Sequence, residues 1–224
     1  MKNKMNKIHN IDCLEFMKQV PDNYFDLVLT DPPYGMSFQS RRREDEHKKI
    51  KNDSTLDWLD DFTNELFRIF NKDGHGYVFC SWHYIDLFKQ SLESAGFNIK
   101  NILVWHKNNH GSGDLLGDYA PQYELCLFIS NGVRKLNGGR SSNILKATKT
   151  NNNLHPTQKP IDLFEFLLTK SKVADSKVFD AFMGSGTTAI ACKSLGLEWC
   201  GTELEADYVE IANKRLEAVQ GSLF

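Results

Sequence analysis

A chain of 224 residues has room for one main domain, and 41% hydrophobic with 25% charged residues is the composition of a soluble globular protein. No stretch approaches the roughly 18 apolar residues a membrane span needs, and the polar start MKNKMNKIHNIDC lacks the apolar centre of a signal peptide, so a cytoplasmic protein is expected. A formal net charge of −2 excludes nucleic-acid binding by global charge and leaves it to local patches.

In chain order, FDLVLT (25–30) is an apolar run of strand length, and TDPPYGM (30–36) ends it. Two prolines in a row lack backbone donors and fix φ, so the chain stops and turns there. The carbonyls of Asp31 and Pro32 are left in a stiff backbone, beside a carboxylate and the face of Tyr34. The spacing predicts a helix over 56–70, where Leu59, Phe62, Leu66 and Phe70 recur every three or four residues. Strand 76–80, a helix through YIDLFKQSLESAGF, and strands NILVWH and YELCLFIS follow. The last third reads as helix DLFEFLLTKS, strand KVFDAF, helix TTAIACKSL, strand EWCGTEL and helix ADYVEIANKRLEAV. This alternation predicts an α/β domain with a largely parallel sheet.

Segments 37–55 and 130–154 are polar and longer than ordinary connections, either solvated loops or loops that meet a ligand. The first carries Arg41, Arg42 and Arg43; the second carries Arg134, Lys135, Arg140, Lys146 and Lys149 with no acidic residue, which favours a nucleic-acid contact. Five cysteines lie scattered without C-x-x-C or matching His spacing and read as buried thiols, with no metal expected.

In VFDAFMGSGTTAIAC (178–192) a strand passes through Gly184-Ser185-Gly186 into a helix at Thr187, and Glu203 stands 17 residues beyond Gly186 at the end of the next strand. Glycines permit positive φ and close backbone approach, and a strand-end carboxylate in such a sheet can grip a ribose diol. No lysine follows the glycines, so this is not a nucleotide P-loop. A nucleoside-containing cofactor is implied, either a dinucleotide or S-adenosylmethionine.

DPPY (31–34), HPTQKP (155–160) and FDAFMGSGTT (179–188), in this order, resemble the beta class of S-adenosylmethionine-dependent DNA adenine-N6 methyltransferases over about Lys7 to Leu216. The resemblance implies an α/β, Rossmann-like S-adenosylmethionine-dependent methyltransferase fold in circularly permuted motif order, a mostly parallel sheet with helices on both faces. It implies one methyltransferase domain over 1–224, with DNA-contacting loops at 37–55 and 106–154. Carried over by motif, Asp180, Phe182, Gly184, Ser185, Gly186 and Thr187 meet the cofactor, and Glu203 holds its ribose. NIDCLEF implicates Asp12 and Cys13 at its adenine, although Ile11 stands where the family often has glycine. HPTQKP is expected to pack beside the cofactor with Lys159 as its polar contact, and Asp31 is expected to meet the cofactor as well; His155 reads equally well as part of a proline-bounded helix start.

The same resemblance gives Asp31, Pro32, Pro33 and Tyr34 the catalytic work. Asp31 and the Pro32 carbonyl accept the hydrogens of the adenine amino group, which frees its lone pair for in-line attack on the sulfonium methyl, while Tyr34 stacks on a base swung out of the duplex. The implied partners are double-stranded DNA, a second copy of the chain, and a separate cognate restriction endonuclease; no membrane is implied. RNA adenine and cytosine N4 are the alternative substrates, although cytosine enzymes usually carry serine in place of Asp31. An NAD-dependent oxidoreductase leaves DPPY unexplained, and intact Asp31, Tyr34 and Glu203 argue against an inactive DNA-binding module.

Overall fold

The computed structural model describes residues 1–33, 56–110, 117–148 and 158–221. β1 (Lys7–Asn10) leads through α1 (Cys13–Met17) to β2 (Phe25–Thr30), α2 (Leu59–Ile69), β3 (Phe70–Cys80) and α3 (Ile85–Ala95). β4 (Asn98–His106), β5 (Tyr123–Ser130) and the three-residue β6 (Ile144–Lys146) precede α4 (Ile161–Ser171). β7 (Lys177–Asp180), α5 (Thr187–Ser194), β8 (Glu198–Glu203) and α6 (Ala206–Gly221) follow.

One sheet holds the strands in the order β1-β8-β7-β2-β3-β5-β4-β6. Every neighbouring pair is parallel except the two made by β5, which alone runs against the rest. β2 is apolar throughout because both its faces are covered. Leu27 and Leu29 join the core formed with Leu163 and Leu167 of α4 and Ala189 of α5, whereas Val28 joins the core formed with Phe16 of α1, Phe62 and Leu66 of α2 and Phe88 of α3. Three helices on one face and the α4–α6 layer on the other make the expected three-layer α/β architecture, and β1, the first strand, pairs with β8, the last.

Three elements were not expected from the sequence. β1, α1 and β6 are short, and KIHN and ILK carry too few apolar residues to mark a strand. Both strands lie at sheet edges, where pairing to a neighbour sets the conformation and side-chain pattern contributes little. The polar segment 130–154 is accordingly not one long loop: β6 divides it, with Leu145 buried in the core. Among the described residues no helix is long and apolar enough to cross a membrane.

Candidate active site

Parallel pairing delivers the ends of several strands to one edge. β2 lies beside β7 with Val28 opposite Phe179, β7 lies beside β8, and β1 lies beside β8 with Asn10 opposite Glu203. Asp31 just past β2, Asp180 ending β7, Glu203 ending β8 and Asp12 just past β1 therefore share the carboxyl edge of the sheet, where open α/β folds bind ligands.

Each of these acids is held differently. Asp12 caps α1, its Oδ1 accepting from the amides of Leu14 (2.9 Å) and Glu15 (3.2 Å). Cys13 is buried in the core; burial, with Asp12 adding to it, pushes its thiol up to about 12, so the thiol stays neutral. Asp180 is buried; Thr188 Oγ1 donates to it at 2.5 Å and the Phe182 amide at 3.0 Å, yet burial still pushes its carboxyl up to about 7. Phe182 packs its ring on Trp58 and Phe62, at centroid distances of 5.6 and 5.4 Å, on the α2 side. Glu203 accepts from the amides of Gly184 (2.8 Å) and Glu205 (2.9 Å), and burial raises its carboxyl above the usual range.

Gly184 and Gly186 both take positive φ, 51° and 85°. At Gly186 the reason is packing as much as turning: a Cβ there would stand 2.8 Å from Cβ of Ala212 on α6. Packing on α6 is thus a further reason for glycine at 186, beside the positive φ expected from the sequence. Ser185 is fastened from the same helix, because Arg215 Nη1 donates to its carbonyl and, at 2.9 Å, to its Oγ. Thr187 is buried at the start of α5, with Oγ1 donating to the Lys159 carbonyl at 3.4 Å.

Lys159 lies at the centre of a buried cluster of charges. Its ammonium is almost fully buried, paired with Asp31 Oδ2 and, at 3.0 Å, with Glu124 Oε2, and it lies 5.1 Å from the Phe79 ring centroid. Lys107 closes the chain of charges on the other oxygen of Glu124 at 2.5 Å. Burial works against the Lys159 charge, but Asp31 and Glu124 outweigh it and raise its pKa; burial likewise opposes the Glu124 charge, which Lys159 and Lys107 keep ionised. Within the chain, Lys159 meets Asp31 and Glu124, pairings that its place in HPTQKP does not announce. Glu124 and Lys107 were missed; the single signal for Glu124 is a charge inside the otherwise apolar strand YELCLFIS. Pro32 is buried and Pro33 partly so, and β2 stops at Thr30, as the two prolines require.

The basic patch does not hold together. β5 runs antiparallel, so the chain leaves it at the opposite edge of the sheet from Asp31. There the Val133 amide bonds Asp73, His75 Nε2 donates to the Arg134 carbonyl, and Asn137 grips the end of α4. Arg134 is half-buried, and Lys135 and Arg140 sit at that same end. Lys146, opposite His106, has returned to the Asp31 edge and is exposed. Tyr34, Arg41, Arg42, Arg43, Lys149 and His155 lie outside the described residues.

A doubly covered parallel sheet, with a glycine turn backed by one strand-end acid and a proline-stopped acid on the adjoining strand, defines a nucleoside-cofactor enzyme with a second reactive position beside the cofactor loop. The chain belongs to the N6_N4_Mtase family, DNA methylase, whose model matches residues 25–214. It is 29% identical over 255 residues to the type II methyltransferase M1.MboII of Moraxella bovis, covering 94% of this chain and 96% of that one. The crystal structure of the M1.HpyAVI–SAM complex matches with a TM-score of 0.71 at 28% identity, over 93% of this chain and 98% of that one. The cytosine-N4-specific PvuII DNA methyltransferase shares the fold, with a TM-score of 0.77 at 18% identity over 97% and 93%.

S-adenosylmethionine is therefore the cofactor, in place of the nicotinamide reading of the glycine loop. The residues fit it. A carboxylate offers about four acceptor positions, more than the backbone amides use at Glu203, so capacity for a ribose diol remains. Asp180, poised by burial near neutrality, suits a cationic neighbour that would draw off its proton.

Proposed function

We propose that this DNA methyltransferase is site-specific and transfers its methyl group to N6 of adenine in duplex DNA, acting on a base swung out of the helix. The observation that carries this reading is Asp31, placed at the stopped end of β2 and ion-paired to buried Lys159. The bound cofactor supplies an electrophilic methyl on a cationic sulfur, and the chain supplies position and charge. Ionised Asp31 accepts a hydrogen of the amino group, and the rigid Pro32 carbonyl accepts the other. The nitrogen lone pair, otherwise delocalised into the ring, then becomes available for attack. No side chain need form a covalent bond to the base.

An acid at position 31 favours adenine, since the cytosine-N4 enzymes of the family usually carry serine there. Glu203 is assigned to the ribose, Asp180 with the Gly184–Gly186 turn to the methionine end, and Asp12 to the adenine edge of the cofactor. Tyr34 is assigned to stacking on the extruded base. Lys146, on the Asp31 edge, is assigned to the DNA backbone.

The test is to incubate duplex DNA with methyl-labelled cofactor, digest it and separate the nucleosides. Label is expected in N6-methyladenine; label in cytosine, or in no nucleoside, overturns the reading. Asp31→Ala should reduce turnover by about 10² or more, because it removes an acceptor at the reacting nitrogen; it should also lower the melting temperature, because it leaves buried Lys159 with Glu124 as its remaining carboxylate, so turnover is compared at a temperature where the variant stays folded.

A further inference from the structure

We propose that Lys159, itself held by Glu124, is a positioning residue that keeps Asp31 ionised and fixes its carboxylate, so that the charge chain Lys107–Glu124–Lys159–Asp31 sets the pH range of catalysis. The proposal rests on Asp31 being the acceptor for the reacting amino group.

Four side chains from four places in the sequence meet here: Lys107 just beyond β4, Glu124 on β5, Lys159 just before α4 and Asp31 just beyond β2. Their charges alternate and sum to zero. Lys159 is 4% exposed and Glu124 26%, so neither is a surface partner free to exchange for water. Removing one member of a buried ion pair leaves its partner's charge uncompensated, which costs far more than the pair contributes. Asp180 on β7 is a like charge to Asp31 whenever it is ionised, and Cys80 on β3 and Cys126 on β5 are thiols whose own ionisation Asp31 opposes. The Phe79 ring centroid lies 5.1 Å from the ammonium. Lys159 is thus a cation that the Asp31 carboxylate meets directly, and Glu124 is what aims it.

The chemistry requires that anion. A protonated carboxyl is a weaker acceptor and competes as a donor, so it cannot draw a hydrogen from the amino group. Nor does Lys159 need to touch the cofactor to matter, since two carboxylates and an aromatic face already surround its ammonium.

The experiment compares wild type with Lys159→Met, Lys159→Arg and Glu124→Gln. It measures kcat between about pH 5.5 and 9.5, cofactor Kd by calorimetry, and the side-chain carboxyl carbon of labelled aspartate by NMR, with Asp31→Asn assigning the signal. In Lys159→Met the Asp31 signal should titrate about 1 to 3 pH units higher than in wild type, as expected when an adjacent opposite charge is lost. Its kcat should fall with the fraction of Asp31 that is protonated, up to about tenfold near pH 5.5, and recover as pH rises, with cofactor Kd within about threefold of wild type. Lys159→Arg should restore the wild-type profile in large part. Glu124→Gln, which keeps the ammonium but loosens it, should fall between. An unmoved Asp31 signal, or a kcat loss equal at all pH values, overturns the proposal; so does loss of cofactor affinity with kcat intact, which returns Lys159 to a cofactor contact. Should Lys159→Met not fold, the same comparisons in Lys159→Arg and Glu124→Gln decide. Label appearing on a base other than adenine in wild type removes the adenine reading alone, because the Asp31 titration is read without turnover.

Discussion

At the residue scale, two buried charged groups near the reacting edge behave oppositely because their partners differ. Lys159 has carboxylates within reach and stays charged, whereas Asp180 has a hydroxyl and an amide, neither of which carries a full charge, and burial wins. The consequence for stability has a definite sign. With a carboxyl raised from 3.8 to about 7, the folded protein holds a proton that the unfolded chain has released, so between those values the folded state binds more protons. Stability from this group is therefore lost as pH rises from about 4 to about 7. Asp180→Asn cannot ionise and escapes the loss. Its unfolding free energy relative to wild type should increase between about pH 4.5 and 8, by up to about 1.4 kcal/mol for each pH unit that separates the folded and unfolded pKa values. Urea unfolding at the two pH values measures this; an equal difference at both would mean that Asp180 is ionised throughout.

At the scale of elements, the glycine turn is shaped by the helix behind it. Gly186 combines a φ of 85° with a missing Cβ that would stand 2.8 Å from Ala212 Cβ, and Arg215, one turn further along α6, holds Ser185. Gly186→Ala should destabilise the protein by about 2 to 4 kcal/mol, adding a left-handed residue to an overpacked contact. Ala212→Gly in the same chain should recover the contact part and leave the backbone part. A thermal-unfolding double-mutant cycle with no coupling would show that the two helices part freely. G-S-G was legible as a ligand turn, since strand, turn and helix are local. Ala212 and Arg215 were not, because small residues and a surface-type cation on an amphipathic helix announce nothing about what they pack on. The same holds for Lys159, whose partner Asp31 is 128 positions away. The motif marked the residue, and only the fold shows which atom it meets. Strands buried on both faces, such as FDLVLT, were readable from composition, whereas β1 and β6 depend on neighbouring strands.

At the scale of the whole molecule, the one reversed strand decides where charge can act. Counting cations between Asn131 and Leu154 treats them as one patch, but β5 descends and β6 ascends, so Asn131 and Lys146 lie at opposite edges of the sheet. Arg134 faces Asp26, Tyr77 and Asp73 there, and burial lowers its pKa, the setting of a structural cation. Lys146 lies on the Asp31 edge, four strands from β2, or about 19 Å at the usual strand spacing, a distance that a bound duplex readily spans. If DNA lies across that edge, Lys146→Gln should weaken binding at all sequences and reduce the slope of log affinity against log salt by about 1, the signature of one lost phosphate contact. Neutralising Lys135 and Arg140 together, at the opposite edge, should leave both affinity and slope unchanged. Fluorescence anisotropy across a salt series, with each variant on specific and random duplexes, separates the two. A slope that falls for Lys135 and Arg140 but not for Lys146 would mean that DNA reaches the far edge, and that the duplex runs along the strands rather than across their carboxyl ends.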